Sequence, residues 1–323
     1  MKVLANDGIS QAGIDVLESA GYVVLTDKVE QHDLIQTINS ENIGALLVRS
    51  ATTVRKDLID ACPNLKLIGR GGVGMDNIDV EYGRENGRLV VNTPGASSQS
   101  VAELVMGHLF SISRSLHDSY KNMSDGDFKV LKKKYGKGIE LRGKKLVIVG
   151  FGRIGQNLAS YALGCGMNVV AIDTYTETRN IILNLGNGVS ASTTITPVSD
   201  MMPEIADADY ISLHIPKQAD GSAVISTAEF AAMKNGVRIV NAARGGVIDE
   251  DALIHALESK KVAAVALDVF ENEPNPRKDL LNNENIACTP HVGAATIEAQ
   301  DRIGTELADT IISNFGTFEN DRM

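Results

Sequence analysis

One of the six histidines, His291, stands in "TPHVGAAT" directly after a short apolar run. Two other apolar runs also end on ionisable side chains. "RIVNAARGG" leads to Arg244, and "VALDVFENEP" leads to Asp268, Glu271 and Glu273. An imidazole titrates near neutral pH and can take or give a proton during a reaction. A carboxylate beside it fixes the tautomer and favours the charged ring. A guanidinium grips a carboxylate through parallel hydrogen bonds and polarises an adjacent oxygen. Each group alone also has an ordinary reading: a structural histidine, solvated acids, an arginine in a turn. Spacing does not choose which acid partners His291.

Two glycine-rich strings raise a second chemistry, the binding of anions. In "VGFGRIGQ" the glycines Gly150, Gly152 and Gly155 follow the apolar run "LVIV" and open a helix. The first permits a tight turn, the second lets the backbone approach a pyrophosphate, and the third lets helix pack on strand. The helix N-terminus adds free N–H groups and positive potential. A later apolar run, "NVVAI", ends at Asp173, near the offset where a carboxylate accepts ribose hydroxyls. That charge repels a 2'-phosphate, so NAD is expected over NADP. Arg179 further along could assist a phosphate. With a nicotinamide at these strand ends, His291, an acid and Arg244 suit hydride transfer from an alcohol.

The other string, "RGGVGMDN" from Arg70 to Asn77, has no GxGxxG spacing and no acid-ended strand after it. It is not a second dinucleotide loop. Its glycines can expose successive N–H groups as a nest for a small anion.

These residues need strand ends to hold them, and the chain supplies strands throughout. Short apolar runs such as "KVLAN", "ALLVRS" and "LKLIGRG" alternate with amphipathic segments such as "SQAGIDVLESAG" and "RKDLIDACP". Continuous apolar strands joined by helices predict parallel sheets covered on both faces. The alternation stops at residues 97–123, which read as one long helix. A basic, glycine-punctuated stretch follows, and alternation restarts at "GKKLVIVGFGRIG". The length of 323 residues exceeds one ordinary core. The pattern alone puts one domain before the long helix and one after it, with the terminal amphipathic helix in the second.

Composition excludes several classes. The net charge of -10 argues against a sequence-independent nucleic-acid binder, so no nucleic-acid partner is expected. An acidic chain that binds an anion must make its site locally positive. The start carries no basic region followed by an apolar core, and no apolar run is long enough to span a membrane. Three distant cysteines form neither a metal spacing nor a disulfide framework. A reducing cytoplasm and no metal are expected.

"VGFGRIGQ", "NAARGGVIDEDAL", "ALDVFENEP" and "TPHVGAAT" resemble, in order, the signatures of the NAD-dependent D-2-hydroxyacid dehydrogenases. "VRSATTV" and "GRGGVGMDNID" are similar, more narrowly, to those members that oxidise D-3-phosphoglycerate to 3-phosphohydroxypyruvate. The resemblance implies two doubly wound α/β domains. A Rossmann NAD-binding domain, 98–294, would be inserted in a discontinuous flavodoxin-like substrate domain, 1–97 plus 295–323, with the active site in the cleft. It implies a catalytic set of Arg244, Glu273 and His291. It implies cofactor contacts at Gly150, Gly152, Arg153, Ile154, Gly155, Asp173, His214, Pro216, Ala242, Ala243, Arg244, Asp268, His291, Gly293 and Ala294, with Asp268 at the nicotinamide carboxamide. It implies substrate contacts at Arg49, Ser50, Arg70, Gly72, Val73 and Gly74, the two arginines serving a phosphate.

The resemblance further implies a homodimer, to whose sites Lys132–Lys134 could add charge from a neighbouring subunit. Two local departures stand out. Relatives carry a Gly-Asn pair after "NTP" where this chain reads "NTPGASSQS", and "IDTY" replaces "DPY" after the ribose acid. The chain ends soon after its last helix, so C-terminal regulatory domains and serine inhibition of that type are not expected. Two other readings stay open: a hydroxypyruvate, glyoxylate or other 2-oxo-acid reductase, and an NADH-sensing corepressor.

Overall fold

The apolar runs become the strands of two separate parallel sheets. The computed structural model describes residues 1–318, which divide into two compact units. One is Met1–Ser97 with the segment that begins at Ala294; the other is Ser98–Gly293.

In the first unit, β1 (Lys2–Ala5), β2 (Val23–Leu25), β3 (Ile43–Val48), β4 (Leu67–Arg70) and β5 (Leu89–Asn92) form a parallel sheet. Its order is β2-β1-β3-β4-β5, the flavodoxin-like arrangement. Crossovers pass through α1 (Gln11–Ser19), α2 (Leu34–Ser40), α3 (Lys56–Ala61) and α4 (Val80–Glu85). Ser10 caps α1 by accepting the Gly13 N–H at 3.3 Å, satisfying one of the free donors of the first turn. All six residues of β3 are buried, as a strand covered on both faces requires.

The terminal helix, Ile297–Phe315, belongs to this unit rather than to the second, a correction to the reading from element order alone. Its Ile303, Leu307, Ala308 and Ile311 join Val3, Ala5, Leu47 and Leu67 in one core. It crosses α1 where Gly13 meets Gly304. A Cβ on Gly13 would stand 2.8 Å from the Gly304 backbone. Periodicity marks both helices as amphipathic, and the close glycine approach, with the shared core of Leu17, Ile303, Leu307 and Ile311, pairs them.

The second unit opens with α5 (Ser98–Arg114), α6 (Leu116–Asn122) and α7 (Phe128–Tyr135). The expected single helix over 97–123 is thus broken. Ser115 takes a left-handed conformation at φ 50°, which ends α5 and redirects the chain. The basic stretch is itself helical, with Asp127 accepting the Val130 N–H as its N-cap. Lys134 there pairs with Asp118 at 2.7 Å and Glu284 at 2.8 Å, so its charge is used within its own unit.

The sheet then builds from β6 (Lys145–Val149), α8 (Arg153–Gly164), β7 (Asn168–Ile172), β8 (Arg179–Gly186), β9 (Val189–Ile195), α9 (Met202–Ile205) and β10 (Tyr210–Leu213). It continues through α10 (Thr227–Ala232), β11 (Val237–Asn241), α11 (Glu250–Glu258), β12 (Val262–Leu267), α12 (Lys278–Leu281) and β13 (Ile286–Cys288). The main sheet has the order β13-β12-β11-β10-β6-β7. The order in which strands are added reverses between the parallel neighbours β6 and β10, the switch point where such sheets bind ligands at strand carboxyl ends.

The antiparallel hairpin β8–β9 was not expected. Ile181 anchors it in the core beside α8, and Ser160 Oγ on α8 donates to the Ile182 carbonyl at 2.7 Å. Beyond β7, among the described residues, the sheet continues as a single parallel bridge from Ile172 to Val198.

Candidate active site

The glycine loop sits at the switch point. Gly150 leaves β6 at φ 93°, a left-handed conformation that glycine adopts without strain. A Cβ there would stand 2.5 Å from the His214 carbonyl oxygen at the end of β10, so side chains are excluded twice over. At Gly155 a Cβ would come 2.3 Å from the Gly150 carbonyl oxygen. Gly152, exposed at the N-cap of α8, would meet nothing within 4 Å. The loop is therefore close-packed on the protein side and approachable at the helix N-terminus, where Arg153 and Ile154 begin the first turn.

Asp173 at the end of β7 faces this loop. One carboxylate oxygen accepts the Phe151 N–H at 2.6 Å, and the other accepts the Tyr175 N–H at 3.0 Å. The carboxylate thus also fixes the loop, a role the spacing did not reveal. His214 is held by Ser212 Oγ, 2.9 Å from its Nε2. Its Nδ1 is buried and, among the described residues, has no partner. Burial pushes its pKa down to about 4, so the ring is neutral at pH 7. An approachable glycine loop, an acid one strand over and an orphaned ring nitrogen fit a dinucleotide. Pro216 follows on the exposed segment after β10.

Three neighbouring strands deliver the ionisable groups. At the end of β11, Asn241 holds the turn through Ala242 and Ala243. Its side chain accepts the Ala243 N–H at 3.0 Å and donates to the Arg244 carbonyl at 2.9 Å. Gly245 then passes so close to the next strand's loop that a Cβ would be 1.8 Å from the Phe270 carbonyl oxygen. This contact seats the Arg244 turn against the segment carrying Glu273.

The structure distinguishes the three acids that spacing left open. Glu273 Oε2 lies 2.7 Å from His291 Nδ1. Its other oxygen accepts the Phe270 N–H at 3.0 Å. Glu271 turns away to accept the Glu250 N–H. Asp268, only 1% exposed, lies beneath the His291 loop. Its carboxylate accepts from Thr289 Oγ1 at 2.6 Å and from the N–H groups of Val292 and Gly293 at 2.9 Å. Arg244, Asp268, Glu273, His291 and Gly293 are thus gathered at the carboxyl ends of β11, β12 and β13.

In the first unit the second glycine string follows β4. Gly72, at φ 136°, lies under Arg70, and a Cβ there would strike Arg70 Nη1 at 1.9 Å. A Cβ on Gly71 would be 3.6 Å from Arg49 Cγ. Two guanidinium side chains therefore flank one loop. The nest is smaller than the glycine count implied. The Gly71 N–H donates to Val48 and the Gly72 N–H to Thr93 Oγ1 at 2.8 Å. Among the described residues, the N–H groups of Val73 and Gly74 have no partner. Asn92 Nδ2 donates to the Val73 carbonyl at 2.6 Å and holds this turn.

Sequence reasoning missed the residues that set Arg49 and Ser50. Asp7, at the end of β1, accepts the N–H groups of Arg49 at 2.7 Å and Thr52 at 3.0 Å. Burial pushes its carboxyl up, but Lys28, Thr52 and these backbone donors together hold it below the ordinary value. Asn77 donates to the Arg49 and Thr52 carbonyls. An acid directly after the first apolar run was the available signal. The thiols of Cys62 and Cys288 are pushed up by burial, the latter to about 11, which keeps them protonated at pH 7. Among the described residues no cluster could hold a metal ion, and no helix is long and apolar enough to cross a membrane.

Known proteins are similar to this chain over most of its length. Residues 106–293 match the model of the D-isomer specific 2-hydroxyacid dehydrogenase NAD binding domain. The chain is 40% identical over 311 residues to D-3-phosphoglycerate dehydrogenase of Methanocaldococcus jannaschii, covering 96% of this chain and 57% of that one. It thus spans little more than half of that relative. It is also 40% identical over 320 residues to hydroxypyruvate reductase of Thermotoga maritima, covering 98% of each. The holo D-mandelate dehydrogenase of Rhodotorula graminis superposes with a TM-score of 0.82 at 26% identity, covering 97% of this chain and 94% of that one.

Proposed function

The chain belongs to the D-isomer specific 2-hydroxyacid dehydrogenase family, and from that premise we propose that it oxidises D-3-phosphoglycerate to 3-phosphohydroxypyruvate, or runs the reverse reduction. The observation that carries the substrate is the pair Arg49 and Arg70, which flank one glycine loop in a chain of net charge -10. A phosphate brings a second anionic group beyond the carboxylate, and this pair of cations suits it.

NAD, when bound, supplies the acceptor for the hydride. His291 Nδ1 is engaged by Glu273, so in the neutral ring Nδ1 carries the proton and Nε2 offers its lone pair. His291 Nε2 takes the substrate hydroxyl proton, and Glu273 stabilises the imidazolium that forms. Arg244 grips the substrate carboxylate and polarises the adjacent oxygen. The N–H groups of Val73 and Gly74 assist at the carboxylate, and Arg49 and Arg70 neutralise the phosphate. Asp173 receives the ribose hydroxyls. Asp268, with its carboxylate already taken by three donors, serves by holding the loop.

A second reading has its own support. The Thermotoga maritima relative named hydroxypyruvate reductase matches end to end, so hydroxypyruvate is the competing substrate. The product of the first reading would feed serine formation, and the expected assembly is a homodimer. A panel of 3-phosphohydroxypyruvate, hydroxypyruvate, glyoxylate and pyruvate, followed by NADH absorbance, separates the readings. The expected result is a kcat/KM for the phosphorylated acid about a hundredfold above the others, a difference of about 2.7 kcal/mol. Arg49→Ala should lower that value about tenfold, leaving hydroxypyruvate nearly unchanged. Preference for hydroxypyruvate by the wild type would transfer the assignment to the second reading.

A further inference from the structure

The loop that carries His291 is gripped from below by a helix to which the chemistry above gives no part. We infer that His108 on α5 is a positioning residue for His291, acting through Thr289 and Asp268. This inference rests on the reading of His291 as the proton acceptor.

His108 is 5% exposed and faces the unit's interior. Burial pushes its pKa down, against the opposing pull of Asp268, and the ring is neutral at pH 7. Its Nε2 lies 3.0 Å from Thr289 Oγ1. Thr289 Oγ1 in turn lies 2.6 Å from Asp268 Oδ1. A hydroxyl has one proton. At 2.6 Å from a carboxylate oxygen that proton belongs to the Thr289–Asp268 bond, because two oxygens without a proton between them would repel. His108 Nε2 must then be the donor to Thr289. The hydrogen bonds run one way, from the His108 Nε2–H to the Thr289 hydroxyl to the Asp268 carboxylate. Each bond polarises the next.

The far end of the chain is the active loop. Asp268 also accepts the N–H groups of Val292 and Gly293, so its three donors bracket Pro290 and His291. The loop needs such bracing. His291 is a non-glycine residue at φ 54°, a conformation that persists only where its surroundings impose it. A second grip comes from the same helix. Ser100 Oγ donates to the Gly293 carbonyl at 2.7 Å and is buried. Ser100 and His108 are eight residues apart, about 12 Å along a helix axis. α5 therefore holds Thr289 at one end of the loop and Gly293 at the other. The imidazole–Glu273 pair is aimed from a rigid helix and not from the loop alone.

The test uses the full chain with three variants. His108→Leu keeps volume and removes the donor. His108→Gln restores a donor near the place of Nε2. Thr289→Val removes the link. Histidine nitrogen NMR on the wild type should show His108 as the neutral Nε2–H tautomer, a result that needs no activity. His108→Leu and Thr289→Val should each lower kcat about tenfold, as loss of an outer partner does. The affinity for NADH should hold, and the His291 ring resonances should move. His108→Gln should recover most of kcat and the wild-type resonances. Wild-type kcat in a folded His108→Leu protein, equal losses in the Leu and Gln variants, or an Nδ1–H tautomer would each overturn the inference. If instead His291→Ala keeps turnover, the assigned chemistry fails. The tautomer and the His291 resonances would then still report whether His108 braces the loop.

Discussion

Glu273 and His291, eighteen residues apart in the chain, meet at 2.7 Å between Oε2 and Nδ1. The carboxylate does not float: its second oxygen accepts the Phe270 N–H at 3.0 Å. The acid is fixed by its own strand end and in turn fixes the ring. The pair is half open to solvent, at 40% and 36% exposure of the two side chains, which leaves Nε2 reachable by a substrate.

Neutralising this acid should therefore weaken proton transfer without unfolding the protein. Glu273→Gln keeps an acceptor and a similar shape but removes the charge that stabilises the imidazolium. A fall in kcat of about tenfold to a hundredfold is expected, with unchanged Tm. Steady-state rates with thermal melts check it. A Gln variant as fast as the wild type would show that Glu273 merely packs.

Cofactor choice should depend on the Asp173 charge. Asp173→Asn preserves an oxygen for the Phe151 N–H and removes the repulsion toward a 2'-phosphate. The ratio of kcat/KM for NADP over NAD should rise about tenfold, equivalent to about 1.4 kcal/mol. Parallel titrations with the two cofactors measure it. An unchanged ratio would place selectivity elsewhere, with Arg179 the next residue to vary.

Much of this arrangement was legible in the sequence, and the reasons are local. Nearly continuous apolar runs mark β3, β6 and β12 because a strand buried on both faces favours apolar side chains throughout. The turn at Gly150 was readable because a left-handed backbone beside the His214 carbonyl demands glycine. The break at Ser115 was not readable: serine carries no left-handed preference, and apolar periodicity runs on across it. The hairpin β8–β9 left a usable signal in the Gly186-Asn187-Gly188 turn between alternating apolar residues. Glu273 was not separable from Asp268 and Glu271 by spacing, because only the folded loop decides which carboxylate turns toward the ring. The bracing residues His108 and Thr289 were invisible because their partners lie 181 and 21 residues away, and Asp7, though placed after the first apolar run, showed nothing of its partner 42 residues away.

Acid should loosen the first unit at the Arg49 turn. The folded Asp7 carboxyl titrates below its ordinary value because Lys28, Thr52 and two backbone donors outweigh its burial. A group whose folded pKa is depressed stabilises the protein above its unfolded pKa. That contribution fades as pH falls through the folded value, below about pH 4. Denaturation midpoints between pH 7 and pH 3 should decline more steeply for the wild type than for Asp7→Asn. Parallel curves would remove Asp7 from the acid response.

The most direct test of the account is His291→Ala, assayed with 3-phosphohydroxypyruvate and NADH beside a fluorescence titration of NADH binding. Turnover should fall at least about a hundredfold, the usual scale for a general acid–base residue. NADH affinity should stay within about threefold, since the ring's work is proton transfer and not cofactor retention. Turnover near the wild-type rate would contradict the central claim, because no other imidazole lies at these strand ends with a carboxylate on its Nδ1 among the described residues.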